Sequence, residues 1–164
     1  MAVNEALLQE FDQEMATTRL LLAGVPARDA AWKPHPKSMS LGDLATHVAY
    51  LPSWLGMTLT TTELDLAGAP PPAAFTTVEA LLAAFDRNVA GSRAALAGAA
   101  DADFAVPWSL RMGEQVYFTF PRAVVVRSFV FSHLIHHRAQ LGVYLRLRDV
   151  PLPPCYGPTA DTGM

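Results

Sequence analysis

The stretch Phe131-Ser132-His133-Leu134-Ile135-His136-His137-Arg138-Ala139-Gln140 decides how this chain is read. His133 and His137 stand four positions apart. At about 100° per residue they differ by ~40° around a helix axis and lie one turn apart on the same face. Two imidazoles so placed can both reach one metal ion at about 2.0–2.1 Å. His136 also neighbours His133, but ~60° to the other side, and it is adjacent to His137. It is therefore assigned to the helix flank or to a hydrogen-bonding role.

The surroundings of this stretch make it the middle of a long helix. Pro121 suits a first helical position, where its missing N–H costs nothing. The helix is expected to run to about Arg148, with Arg146 and Arg148 matching the negative end of its dipole. Val150-Pro151 then stops it. A stable site for zinc or a similar ion needs at least three protein ligands, so a third donor must come from elsewhere. His35 lies in Trp32-Lys33-Pro34-His35-Pro36-Lys37, a loop by its two prolines, and reads as solvated. His47 lies among Leu44, Val48 and Leu51, on an apolar helical face where an imidazole needs partners. If the two helices face each other, His47 completes a three-histidine site with His133 and His137. A half-buried histidine pair repels itself when protonated, so a metal or a neutral hydrogen-bonded pair is the natural resolution.

Further outward, Val3, Leu7, Leu8, Phe11, Met15, Thr18, Leu21 and Leu22 recur at intervals of three and four and predict a first helix over residues 3–24, ended by Gly24 and Pro26. Ser40-Leu41-Gly42-Asp43 starts a second, with Ser40 as cap. Pro52 is expected to kink or end it. Gly68 to Ala74, with three consecutive prolines, reads as a linker. Thr76-Thr77-Val78-Glu79 has a capping-box pattern and opens a third helix that ends near Gly98. Between helices three and four, residues 105–120 read as two extended segments around Gly113, a small β-hairpin. The expected fold is all-α: a four-helix bundle in one domain over residues 1–164.

Composition agrees. The chain has 164 residues, 51% apolar and 16% charged, enough to build a core and too apolar for disorder. A net charge of -3 with scattered Lys and Arg argues against nucleic acid and against an anionic membrane surface. The single cysteine, Cys155, excludes an internal disulfide and suits a cytoplasmic protein. Glu5 and Glu10 are unlike a signal peptide, and no uncharged apolar run reaches the ~18 residues of a membrane span.

The helix with His47 in Leu41-Gly42-Asp43-Leu44-Ala45-Thr46-His47-Val48, the run from His133 to Arg146 and the tail Val150 to Pro158 together resemble the DinB-like (DNA-damage-inducible) superfamily over nearly the whole chain. The resemblance implies a four-helix bundle, often a homodimer, with three histidines on one divalent ion, typically zinc or nickel. His47, His133 and His137 match those ligand positions. It also implies a metal-dependent enzyme acting on a small molecule. Thiol-dependent transferases and isomerases that use a low-molecular-weight thiol occur among characterised members. The expected function is thus thiol transfer or metal-assisted hydrolysis; the alternative is a non-catalytic dimeric helical stress protein, with or without metal. Asp43 either orients His47 or only caps its helix, and Gln140 either lines the pocket or makes a helix–helix hydrogen bond. Tyr50 and Trp54 either wall the cavity or pack in the core. Tyr144 is assigned to packing, Arg138 to a distant carboxylate, and Cys155 to no metal. No general base stands out.

Overall fold

The protein is described by a computed structural model over residues 2–68, 72 and 74–163. The proline-rich linker expected at 68–74 lies largely outside these residues. Among the described residues no helix is long and apolar enough to cross a membrane.

The chain is mostly helical. Helix α1 (Val3–Ala23) buries Phe11, Met15, Thr18, Leu21 and Leu22, the stripe its spacing requires. A single 3-10 turn (Ala27–Asp29) leads towards α2 (Leu41–Tyr50). The first four backbone donors of α2 are all satisfied. Leu41 N–H donates to the Trp32 carbonyl and Gly42 N–H to that of Ala30, each at 2.8 Å; Asp43 N–H donates to Ser40 Oγ at 3.0 Å and Leu44 N–H to the Ser40 carbonyl at 2.9 Å. Glycine at position 42 suits this close approach, because a Cβ there would stand 3.0 Å from the Ala30 oxygen and the loop would have to give by a few tenths of an ångström. The entry of α2, and with it the place of His47, is thereby set by the preceding loop.

Helix α2 ends at Tyr50, two residues before Pro52, and α3 (Ser53–Thr60) follows, with Leu51 and Pro52 between them still at right-handed helical angles. The carbonyls at this break are taken by α4 (Val78–Gly98): Asn88 Nδ2 donates to Ala49 O at 3.0 Å and Ser92 Oγ to Pro52 O at 2.7 Å. A buried break without such partners would leave backbone groups unpaired. Thr77, not Thr76, caps α4 by accepting Ala80 N–H. That places Glu79 in the first turn one position too early for the reciprocal bond of a capping box.

The expected hairpin exists as β2 (Pro107–Met112) and β3 (Gln115–Pro121), antiparallel. Gly113 has φ +58° at the first position of the two-residue turn, which a side chain would disfavour. A third strand, β1 (Glu63–Asp65), pairs parallel with β2. Three residues carry too little pattern to be read from sequence. Pro121 closes β3 and caps the next helix from outside instead of occupying its first turn.

The last helical stretch is not uniform. A short α5 (Arg122–Val125) passes into a π-helical segment, Val126–Phe131, and then into α6 (Ser132–Leu147). Asp149, at φ +56°, ends α6 by turning the Val150 N–H onto Leu145 O and its own N–H onto Arg146 O. The core lies between α1, α2, α3, α4 and the last helical stretch, with Phe11, Leu44, Leu55, Phe85, Phe131 and Leu134 fully enclosed.

Candidate metal centre

His47 comes from the middle of α2, and His133 and His137 from successive turns of α6. The two helices pack against each other, and all three imidazoles are half-buried at that contact. One nitrogen from each ring lies within 4.8 Å of the other two. The Nε2 atoms of His47 and His133 are 3.3 Å apart. That separation is close to the edge of a tetrahedron with metal–nitrogen bonds of about 2.0–2.1 Å. The His47 ring meets the other two edge to face, with centroids 4.6 Å from His137 and 5.1 Å from His133, while His133 and His137 are tilted at 4.7 Å.

The protonation chemistry suits a cation. Burial lowers the pKa of His47 to about 4, and the nearby His137 and His133 rings push it the same way. Burial also lowers the pKa values of His133 and His137. At neutral pH the cluster is therefore uncharged, with lone pairs to offer. Gln140 Oε1 lies 2.8 Å from His137 Nδ1. An amide oxygen only accepts, so Nδ1 carries the proton and Nε2 is left bare, the arrangement a ligating histidine requires. Nδ1 of His133 is sealed from solvent without a well-formed hydrogen bond, although the Phe129 carbonyl one turn earlier favours a proton on that ring. Phe129 lies within the π-helical segment, a type of irregularity that recurs at functional sites. The three residues thus fit a divalent ion by spacing and burial, and His137 by tautomer as well.

Other candidates separate cleanly. His35 is exposed in its loop and accepts the Lys37 N–H; His136 is exposed on the flank of α6. Asp43 is occupied by its cap, with Ser40 Oγ donating to Asp43 Oδ2 at 2.7 Å, and makes no bond to His47. Gln140 makes no helix–helix hydrogen bond: its partner is His137 itself, on its own helix, which places its amide beside the cluster. The spacing of three was the available signal. Trp54 stands edge-on to His133 at 6.2 Å while packing on the core, and Tyr50 lines a cavity beside α2. Tyr144 packs on Trp32. Arg138 does find a distant carboxylate, Glu14, at 2.6 Å. A cavity of about 500 Å³ lies between α6 and the C-terminal tail, is lined by Ile135, Val143, Cys155 and Tyr156 among others, and none of the three histidines lines it.

Comparison with known proteins agrees with this architecture. The profile of the DinB superfamily matches residues 10–141. The crystal structure of a DinB-like protein from Bacillus cereus superposes with a TM-score of 0.70 at 21% identity, covering 93% of this chain and 97% of the other. A DinB-like protein from Bacillus subtilis gives 0.70 at 16% identity, covering 92% and 96%. At such identities the likeness concerns the fold. No curated protein matches the chain.

Proposed function

The chain belongs to the DinB superfamily, and on that premise we propose that it is a metal-dependent enzyme whose ion is held by His47, His133 and His137. The observation that carries this reading is the convergence of three uncharged imidazoles from two distant segments, with two Nε2 atoms 3.3 Å apart. When bound, a divalent ion there supplies Lewis acidity that lowers the pKa of a thiol or water beside it. Zinc or nickel is the expected ion, and thiol transfer to a small electrophile the expected reaction, with metal-assisted hydrolysis second. The protein's own residues would do the rest. Gln140 holds the His137 tautomer, and Trp54 excludes water on the His133 side. The long helices are read as a four-helix bundle of α1, α2 with α3, α4, and α5 to α6. A homodimer belongs to the same reading, supported by the exposed apolar side chains Leu20, Val143 and Leu147.

The test is metal analysis of the purified protein and of His133→Ala. One equivalent in the first and none in the second is expected; equal content in both removes the site. A panel of low-molecular-weight thiols with electrophilic partners then tests transfer. The capping role of Asp43 leaves no carboxylate hydrogen-bonded to the cluster among the described residues, which favours a second reading as a non-catalytic metal-binding module. Bound metal without turnover on any thiol decides for that alternative.

A further inference from the structure

Two cavities adjoin along α2. The first, about 320 Å³, is lined by Met39, Asp43, Thr46 and His47, with Pro72 and Ala74. The second, about 200 Å³, lies between α2 and the N-terminal half of α4 and is lined by Thr46, Tyr50, Phe75, Thr76 and Arg87 among others. Thr46 and Ala74 line both, so the two cavities are neighbours, one bordered by a metal-ligand candidate and the other by a guanidinium.

The second cavity has one cation in its wall and no carboxylate. Among the described residues Arg87 makes no ion pair and no side-chain hydrogen bond, unlike Arg19, Arg93, Arg127 and Arg146, each of which holds a carboxylate. Its sequence neighbour Asp86 is already engaged by Arg19 at 2.8 Å. Thr46 is only 5% exposed, and its hydroxyl is buried with no partner. A buried hydroxyl without a partner is costly, and a turn of χ1 would offer it to a ligand at the junction of the two cavities. Tyr50 also lines the second cavity.

We infer that this second cavity binds a carboxylate, and that the small molecule handled at the imidazole cluster carries one. The second half of this inference rests on the proposed metal centre. A guanidinium presents a planar fork that matches a carboxylate in two parallel hydrogen bonds. Thr46 and Tyr50 supply the neutral donors. A phosphate dianion would meet a single cation here and keep half its charge uncompensated, so the carboxylate is the better match.

The inference is tested by titrating the zinc-supplemented protein with propionate, succinate and inorganic phosphate, and following the side-chain NMR signals of Arg87 and Tyr50. Propionate should shift both saturably. Arg87→Gln should weaken it at least tenfold with metal content unchanged, Arg87→Lys should fall between, and Thr46→Val should weaken it about threefold. Undiminished propionate binding in Arg87→Gln overturns the carboxylate site, as does phosphate binding more tightly than propionate through Arg87. The metal premise is read separately with 3-mercaptopropionate. It should bind more tightly than propionate to the wild type and lose that advantage in His133→Ala. Loss of the advantage everywhere, with Arg87-dependent propionate binding intact, removes the link to the metal and leaves the carboxylate site standing.

Discussion

His47 departs furthest from the behaviour of an imidazole in water. Its ordinary pKa is 6.5, and burial with two neighbouring rings holds it at about 4 in the folded protein. Between those values the unfolded chain binds a proton that the folded chain refuses. The contribution of His47 to the stability of the metal-free protein should therefore be complete above about pH 6.5, decline as pH falls, and be lost below about 4. Denaturant melts across that range check this; a flat profile would mean that His47 reaches water in the folded state. Gln140 acts on the neighbouring ligand. Because it is exposed, Gln140→Leu should leave the fold intact while lowering metal affinity about 10–100-fold, since the His137 tautomer is no longer held. Competition with a metal-chelating dye measures the change, and unaltered affinity would assign the tautomer to another cause.

At the scale of elements, the start of α2 is the point on which the site depends. Ser40→Ala removes the acceptor for Asp43 N–H and should cost about 1 kcal/mol, or roughly 2–4 °C in Tm for a chain of this size. Gly42→Ala should cost more, because its Cβ would meet the Ala30 carbonyl at 3.0 Å and the loop has to give way. It should also weaken metal binding, since any shift of the α2 entry carries His47 with it. A Gly42→Ala protein with wild-type Tm and wild-type metal affinity would show that the loop is softer than this packing implies. Helix α6 is anchored differently, through the residue next to His137.

Over the whole molecule, Arg138, Glu14 and Tyr156 tie α6, α1 and the tail together. Arg138 and Glu14 are an ion pair at 2.6 Å with side chains 2% and 7% exposed, and the Tyr156 hydroxyl donates to the Glu14 carboxylate at 2.9 Å. Taking away one partner leaves an uncompensated buried charge, so Arg138→Met should destabilise by about 3–5 kcal/mol. The double variant Glu14→Leu with Arg138→Met should recover most of that loss. By contrast Asp12→Asn, which breaks the half-exposed pair with Arg93, should cost no more than about 1 kcal/mol. Urea denaturation of the four proteins separates these cases, and a double variant as unstable as Arg138→Met would assign the network a packing role instead.

The helices, the Gly113 turn and the histidine pair on α6 were legible from local chemistry. Intervals of three and four, a serine or threonine before an apolar run, and glycine where φ must be positive all act within one or two turns. His47 could be named as the third ligand only on the condition that two helices faced each other. That condition, the strand β1, the buried Glu14 and the cavity beside Arg87 belong to contacts between segments far apart in the chain. Periodicity is a property of a single segment, whereas a metal site, a parallel strand pair or a buried ion pair is a property of two. Which partners meet is settled when the apolar faces close on one another and exclude water, and that packing decided where these three imidazoles stand.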